Sequence, residues 1–340
     1  MSFYRLALAT VSLSLMLPCA LPVLAADPAP ETNPAIAEPE VRPLLQERSQ
    51  EDAAALERHV AQNEQQPLQA GQDSFLALWK PANNSEPSGV VIIVPGAGEN
   101  ADWPVTVGPL RRKLPDANWA SLSLSLPDMQ STASQPRPVE QEKPPTEPAP
   151  NSSSKDASTT AKPIEQAASA GTDSTATPLQ ASESFEAMSN ADAARIFARI
   201  DAALAFAQQQ NMRTVVLLGN GTGAYWAARY INEKKPPQIA KLIMVAAVTP
   251  DQVTPELSQL TPKLTVGLLD VFYNDTLQAR KSALQRLQAS KRANQHNVVQ
   301  VGLMALPGNR EAEQEQLMRR VRGWLSPQPA PTNESRAARE

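Results

Sequence analysis

The feature that most constrains the fold is a regular alternation of apolar, strand-like runs with helical segments. The run at 90–94 (VVIIV) is continuously apolar, which is typical of a parallel strand buried on both faces. The segment at 191–208 instead places Ile196, Ile200 and Leu204 on one helical face. Strands that alternate with helices predict a mostly parallel sheet covered on both faces. The seven predicted strands lie at 75–79, 90–94, 119–126, 214–218, 242–246, 264–271 and 298–306.

Composition divides the 340 residues into one folded domain and several segments that are not expected to fold. Residues 130–185 are mainly Ser, Thr, Ala, Pro, Gln and Glu, and eight prolines lie between positions 136 and 178. Such a segment cannot bury enough apolar surface to offset the entropy of ordering it, so we predict a disordered insertion. The other predicted parts are a disordered linker at 26–42, an amphipathic helix at 43–63, one domain formed by 64–129 and 186–325, and a disordered tail at 326–340.

The first residues are typical of a secretory signal peptide. Arg5 precedes a largely apolar run, and small residues follow near Ala25. We predict cleavage after Ala25 and a periplasmic location, with an uncleaved anchor as the alternative. Cleavage there would remove Cys19, the one cysteine, which lies in a poor lipobox. No other stretch is long and apolar enough to cross a bilayer, so we expect no transmembrane segment in the mature chain.

Charge and metal-binding residue types exclude several classes of function. The chain has 31 Lys and Arg against 35 Asp and Glu, a formal net charge of −4, so it offers no basic field for nucleic acid. One cysteine and two histidines rule out a disulfide framework, a zinc ribbon and a multi-histidine metal centre. No phosphate loop or dinucleotide fingerprint is present. We therefore expect no cofactor, no metal and no nucleic-acid partner.

The most informative motif is the turn Gly219-Asn220-Gly221-Thr222-Gly223, which follows the fourth predicted strand and precedes a helix. Side chains at Gly219 and Gly223 would strike the neighbouring strand and helix in so tight a turn. The pattern resembles the nucleophile elbow G-x-S-x-G of the α/β-hydrolase superfamily. The central position, which holds the serine in that superfamily, is Gly221 here, and glycine has no attacking group.

A second glycine-rich loop, with Gly96, Ala97 and Gly98, follows the second predicted strand. In α/β-hydrolases the corresponding loop donates a backbone N–H to the oxyanion hole. The resemblance implies that the backbone N–H groups of Ala97 and Thr222 are the matching donors. We expect the Thr222 hydroxyl to cap the helix that follows.

The resemblance also implies positions for the acid and the histidine of a catalytic triad. Asp270 or Asp275, near the end of the sixth strand, matches the acid, and Asn309 stands where the histidine is expected. His296 precedes the last strand and therefore belongs to the opposite edge of the sheet. His59 would reach the elbow only if the amino-terminal segment folded across its mouth, which we do not expect.

The segments PGAGENADWP, WASLSLSLPD, GNGTGAYWAARY and LLDVFYND resemble a narrower group within that superfamily. This group is an uncharacterised family, of unknown function, of exported Gram-negative α/β-hydrolase-like proteins in which glycine occupies the elbow centre. The resemblance covers about 71–129 and 186–325. It implies an α/β-hydrolase-like, mostly parallel sheet of about seven strands with helices on both faces, and an exported location, but no activity.

Three functions remain open on the sequence. The first is a pseudoenzyme of the cell envelope that binds or scaffolds, with a small acyl or carboxylate ligand held on backbone N–H groups and an envelope protein recruited through the 130–185 insertion. The second is a weak esterase or amidase with an unusual nucleophile, Thr222 or more distantly Ser121, Ser123 or Ser125. The third is a structural envelope protein whose Pro-rich arms carry the interactions.

Overall fold

The computed structural model describes residues 47–129 and 178–326. The predicted signal peptide, the linker at 26–42, residues 130–177 of the predicted insertion and residues 327–340 of the predicted tail lie outside the described residues. Within the described ranges, no helix has both the length and the apolar character needed to span a bilayer.

The centre of the fold is one eight-stranded sheet with the order β1-β2-β4-β3-β5-β6-β7-β8. The strands β3 to β8 are parallel to one another, whereas β2 pairs antiparallel with both β1 and β4. This arrangement confirms the predicted mostly parallel sheet. The strands are β1 (Gln65–Ala70), β2 (Asp73–Lys80), β3 (Gly89–Val94), β4 (Trp119–Leu124), β5 (Val215–Asn220), β6 (Ile239–Val245), β7 (Gly267–Tyr273) and β8 (Val298–Leu303).

Helices cover both faces of the sheet, as predicted. The larger apolar cluster lies where α3, α4 and α5 pack on the sheet, and the smaller one lies beneath α2 and α7. Consecutive residues of β3 alternate between them, since Ile92 belongs to the larger cluster and Val91 to the smaller. The helices are α1 (Arg48–His59), α2 (Val107–Lys113), α3 (Pro178–Gln209), α4 (Thr222–Lys234), α5 (Leu257–Leu260), α6 (Leu277–Arg292) and α7 (Arg310–Leu325).

Two elements differ from the sequence-based expectation. The strand β1 was not predicted, because its sequence QQPLQA is mostly polar and contains Pro67. A proline is tolerated there because β1 is an edge strand that pairs only with β2. The helix α3 begins at Pro178, so the last eight residues of the predicted insertion at 130–185 belong to a helix. Proline favours the first turn of a helix, where its missing N–H costs nothing.

Candidate active site at the strand–helix turn

The turn between β5 and α4 has the backbone of a nucleophile elbow. Gly221 has φ 54° and ψ −121°, a conformation that residues with a Cβ rarely adopt. A Cβ on Gly219 would lie 2.4 Å from the Cα of Ala224, and one on Gly223 would lie 2.2 Å from the carbonyl oxygen of Pro95. The two outer glycines are therefore required by close backbone approach, for the reason that the sequence suggested.

The central glycine is not required in this steric sense. A Cβ on Gly221 would have the Cα of Gly96 as its nearest neighbour, at 3.9 Å, which is ordinary van der Waals contact. The elbow thus has room for a side chain at its centre but has glycine there. Its φ is nevertheless positive, as expected for the centre of such a turn.

The loop after β3 is bonded to this turn by a side chain. The backbone N–H of Ala97 donates a hydrogen bond of 2.6 Å to the Oγ1 of Thr222. One of the two predicted oxyanion donors is therefore already paired. The Thr222 hydroxyl does not cap α4, since the N-terminus of that helix has no side-chain cap. The expectation of a capping threonine was wrong because Thr222 lies one residue after the N-cap position, with the β3 loop beside it.

A carboxylate that the sequence analysis did not single out lies at the same place. Glu99 accepts a hydrogen bond of 2.7 Å from the backbone N–H of Gly96 and bonds of 2.8 Å from the Asn220 amide. Asn220, the residue before the elbow centre, is buried. Glu99 thus joins the two glycine-rich turns and brings a negative charge beside them. The sequence feature that could have identified Glu99 is its position directly after Gly98 in the glycine-rich loop.

Asp270 is not free to serve as the acid of a triad. It lies inside β7, not at its carboxyl end, and only 1% of its surface is exposed. Its carboxylate accepts from the Arg286 guanidinium at 2.9 and 3.0 Å and from the Gln300 amide at 2.9 Å. Three donors on one buried carboxylate indicate a structural ion pair between β7 and α6.

The other two triad positions also have local roles. Asp275 is exposed and lines a cleft of about 620 Å³ beyond the ends of β6 and β7. Asn309 is the N-cap of α7, and its Oδ1 accepts from the backbone N–H of Ala312 at 3.1 Å. The resemblance placed Gly221, Asp270 and Asn309 in one degenerate triad, but the hydrogen bonds of the latter two lead away from the elbow.

Neither described histidine is bonded to the elbow. The segment that carries His59 contacts the loop after β3 at its other end, where Arg48 donates to the carbonyl oxygen of Gly98 at 3.0 Å. His59 is at the other end of α1, about 16 Å along the helix axis, and its ring bonds the carbonyl oxygen of Ala55. His296 is exposed and precedes β8, at the edge opposite the elbow.

The serines of β4 are also poor nucleophile candidates. Ser121 and Ser123 are fully buried. Their hydroxyls donate to the backbone carbonyl oxygens of Arg111 and Ala101. The Ser125 hydroxyl is buried and has no hydrogen-bond partner.

A small cleft adjoins the loop after β3. Its volume is about 320 Å³, and its walls are residues 96–99, residues 126–129 and Arg48. Arg48 lies 3.5 Å from the Asp128 carboxylate, so its charge is partly neutralised there. The cleft thus presents backbone groups, one paired cation and the carboxylates of Glu99 and Asp128.

Comparisons with solved structures give distant likenesses. A proline iminopeptidase from Mycobacterium smegmatis is 7% identical with a TM-score of 0.49, over 77% of this chain and 97% of that one. A putative dienelactone hydrolase from Klebsiella pneumoniae is 12% identical with a TM-score of 0.49, over 77% and 96% of the two chains. An alpha-beta serine hydrolase homologue from Coxiella burnetii is 14% identical with a TM-score of 0.46, over 78% and 99%.

The sequence was also compared with curated proteins and with protein-family models. No curated protein matches the chain. A family model described as "Protein of unknown function (DUF3530)" matches residues 7–327.

Proposed function

We propose that this chain, which belongs to the DUF3530 family of proteins of unknown function, uses an α/β-hydrolase fold for binding and not for serine-hydrolase catalysis. The observation that carries the proposal is the hydrogen bond from the Ala97 N–H to Thr222 Oγ1 beside Gly221. At this elbow the attacking group is missing and one oxyanion donor is already paired. Acyl transfer needs both.

The negative charge of Glu99 at the turn also supports a role other than serine-hydrolase catalysis. A tetrahedral intermediate of acyl transfer carries a developing negative charge, which preorganised donors normally stabilise. Here the Glu99 carboxylate uses the Gly96 N–H and the Asn220 amide. A fixed negative charge next to the elbow opposes a second one, whereas it is compatible with a neutral ligand or with a structural role.

The esterase or amidase alternative would need Thr222 as the nucleophile. A threonine hydroxyl must lose its proton to a nearby base. Among the described residues, the one hydrogen bond of Thr222 Oγ1 is the bond that it accepts from Ala97. No described histidine or carboxylate is in position to take its proton, so we do not favour this activity.

The proposed place of action is the periplasm. The support is the signal-peptide pattern that ends near Ala25. Amino-terminal sequencing of the exported protein should give Ala26 as the first residue. In the cell envelope the chain would act as a binding or scaffold protein, with the 130–185 segment available to an envelope partner.

A fluorophosphonate probe for serine hydrolases tests the loss of catalysis. The native protein is expected to remain unlabelled, like a heat-denatured sample. Labelling confined to a Gly221→Ser variant would agree that the native protein lacks the attacking hydroxyl, but it would show that the bond from Ala97 to Thr222 does not block the oxyanion site. Labelling of the native protein that heat abolishes would contradict it.

A pair of threonine variants would identify the nucleophile in that case. Loss of labelling in Thr222→Ala but not in Thr276→Ala would establish the alternative activity. Thr276 is a suitable control because it is the N-cap of α6 and is exposed.

A further inference from the structure

Arg199 of α3 is a buried cation that has no ion-pair partner in the described part of the chain. It is 8% exposed, and among the described residues no carboxylate lies within ion-pair distance of it. Its Nη1 donates to the carbonyl oxygen of Ser125, and its guanidinium lies 4.9 Å from the centre of the Phe75 ring. A guanidinium has five N–H donors, so this single hydrogen bond leaves most of its capacity unused.

The other buried arginines of the described chain all have carboxylate partners. Arg111 pairs with Glu64 and Asp102, Arg229 with Glu233, and Arg286 with Asp270. Buried charges are normally paired in this way, because an uncompensated charge in the protein interior is costly.

The more distant carboxylates of Asp73, Glu47 and Asp128 favour the charge on Arg199 but do not fully compensate its burial. Burial and the neighbouring cation of Arg195 lower the pKa of Arg199 to about 10. Arg199 therefore remains charged at neutral pH, in surroundings that disfavour the charge. An anion bound from solution would supply the missing partner.

Arg199 lines a cavity of about 270 Å³ between α1, the β1–β2 pair and α3. Ser125, whose buried hydroxyl has no hydrogen-bond partner, lines the same cavity. The cavity wall thus contains both a cation without an ion-pair partner among the described residues and a hydroxyl without a hydrogen-bond partner. The rest of the wall is mixed: it has an apolar part formed by Ala53, Ala54, Pro67, Phe75 and Leu76, and polar residues Ser49, Gln50, Glu57 and Ser74.

We propose that this cavity is a binding site for a small monocarboxylic acid with a short hydrocarbon group. The carboxylate would pair with the Arg199 guanidinium, whose planar set of N–H donors matches a carboxylate, and would accept from the Ser125 hydroxyl. The hydrocarbon part would lie against the apolar part of the wall. The site is separate from the elbow, so it does not depend on whether the elbow is catalytic.

The charge balance favours a monoanion over phosphate. The cavity offers one free cation, and Glu57 also lies in its wall. With Glu57 in the same wall, a phosphate dianion would leave a larger excess of negative charge than one carboxylate paired with Arg199. The volume of about 270 Å³, slightly below the usual range for ligand pockets, also favours a small organic acid.

Isothermal titration calorimetry of the purified protein with sodium isobutyrate tests the proposal. Saturable binding is expected for isobutyrate and not for isobutyramide, which has nearly the same shape but no charge. Arg199→Gln should weaken binding by about tenfold or more, as expected for loss of a charge-assisted hydrogen bond. Arg195→Gln is the matched control, because Arg195 lies on the same helix and pairs with Glu47.

A cavity-filling variant covers the case in which Arg199→Gln does not fold. Ala54 is an exposed residue of α1 that lines the cavity, so Ala54→Phe should fold and still lose binding. The proposal is overturned if the native protein shows no saturable isobutyrate binding, or if Ala54→Phe binds as the native protein does. Tighter binding of inorganic phosphate than of isobutyrate would also overturn it.

Discussion

The glycines of the elbow differ in what a methyl group would meet at each position. At Gly221 a methyl group would make only an ordinary contact with the Cα of Gly96, but alanine would have to adopt a positive φ, so Gly221→Ala should cost about 1–3 kcal/mol of stability. At Gly223 it would strike backbone carbonyl oxygens at 2.2 and 2.3 Å, so Gly223→Ala should cost more than about 3 kcal/mol. Urea unfolding followed by circular dichroism measures both. Equal losses would show that the elbow can shift to accommodate Gly223→Ala.

The ion pair of Asp270 gives a second prediction. Asp270→Asn leaves the buried Arg286 guanidinium without its counter-charge and should cost about 3–5 kcal/mol of unfolding free energy. Lys113→Ala removes an exposed pair with Glu315 and should cost less than about 1 kcal/mol. If the two variants lose similar stability in urea, Asp270 is not held as a structural group and becomes a candidate acid again.

Part of the candidate site could be predicted from the residue types alone. Gly219 and Gly223 could be placed because a glycine-spaced turn after a strand has one common steric explanation. The resemblance also placed Ala97 and Thr222 side by side as backbone donors, but it did not predict the hydrogen bond from the Ala97 N–H to the Thr222 side chain, because a hydroxyl can bond several groups near a helix start. The role of Glu99 was missed because its partner Asn220 comes from a different strand.

At the scale of elements, Glu64 connects the start of β1 to β2 and α2. Burial alone would raise the pKa of Glu64, but hydrogen bonds from Arg111 and Lys80 outweigh it and lower that pKa below its usual value. The unfolded chain therefore takes up the proton first as the pH falls. The stability that Glu64 contributes is complete above its unfolded pKa, about 4.3, and is lost as the pH drops through the lower, folded pKa.

Glu64→Gln tests this pH dependence. The difference in unfolding free energy between the native protein and Glu64→Gln should be constant near neutral pH and shrink below about pH 4.5. Glu51→Gln is a control, because Glu51 is exposed and has no ion pair among the described residues. A difference for Glu64→Gln that stays constant into the acid range would contradict the role assigned to its carboxylate.

Most elements could be predicted because their burial is recorded in their apolar pattern. The parallel strands are buried on both faces and therefore appear as apolar runs, as in β3 and β5. The edge strand β1 is only partly buried, so its sequence lacks that pattern. The early start of α3 was not predicted, because its first residues continue a segment whose composition is typical of disorder, although several of them are compatible with a helix.

At the scale of the whole molecule, the two apolar clusters share one sheet. Leu217 belongs to the larger cluster and Leu218 to the smaller, and both are fully buried in β5. Leu217→Ala and Leu218→Ala should each cost about 2–5 kcal/mol and leave a single unfolding transition. Tryptophan fluorescence and far-ultraviolet circular dichroism should then give the same midpoint. Two separate transitions in Leu218→Ala would show that the clusters unfold independently.

The hydrogen bond between Ala97 and Thr222 also makes the exchange rate of one amide proton a measure of local opening. Ala97 is exposed, and an exposed loop amide ordinarily exchanges its proton with solvent quickly, but this amide is held by a hydroxyl of the neighbouring turn. Its proton can exchange only when the loop after β3 separates from the start of α4. The deuterium uptake of this one amide therefore reports how often the mouth of the elbow opens.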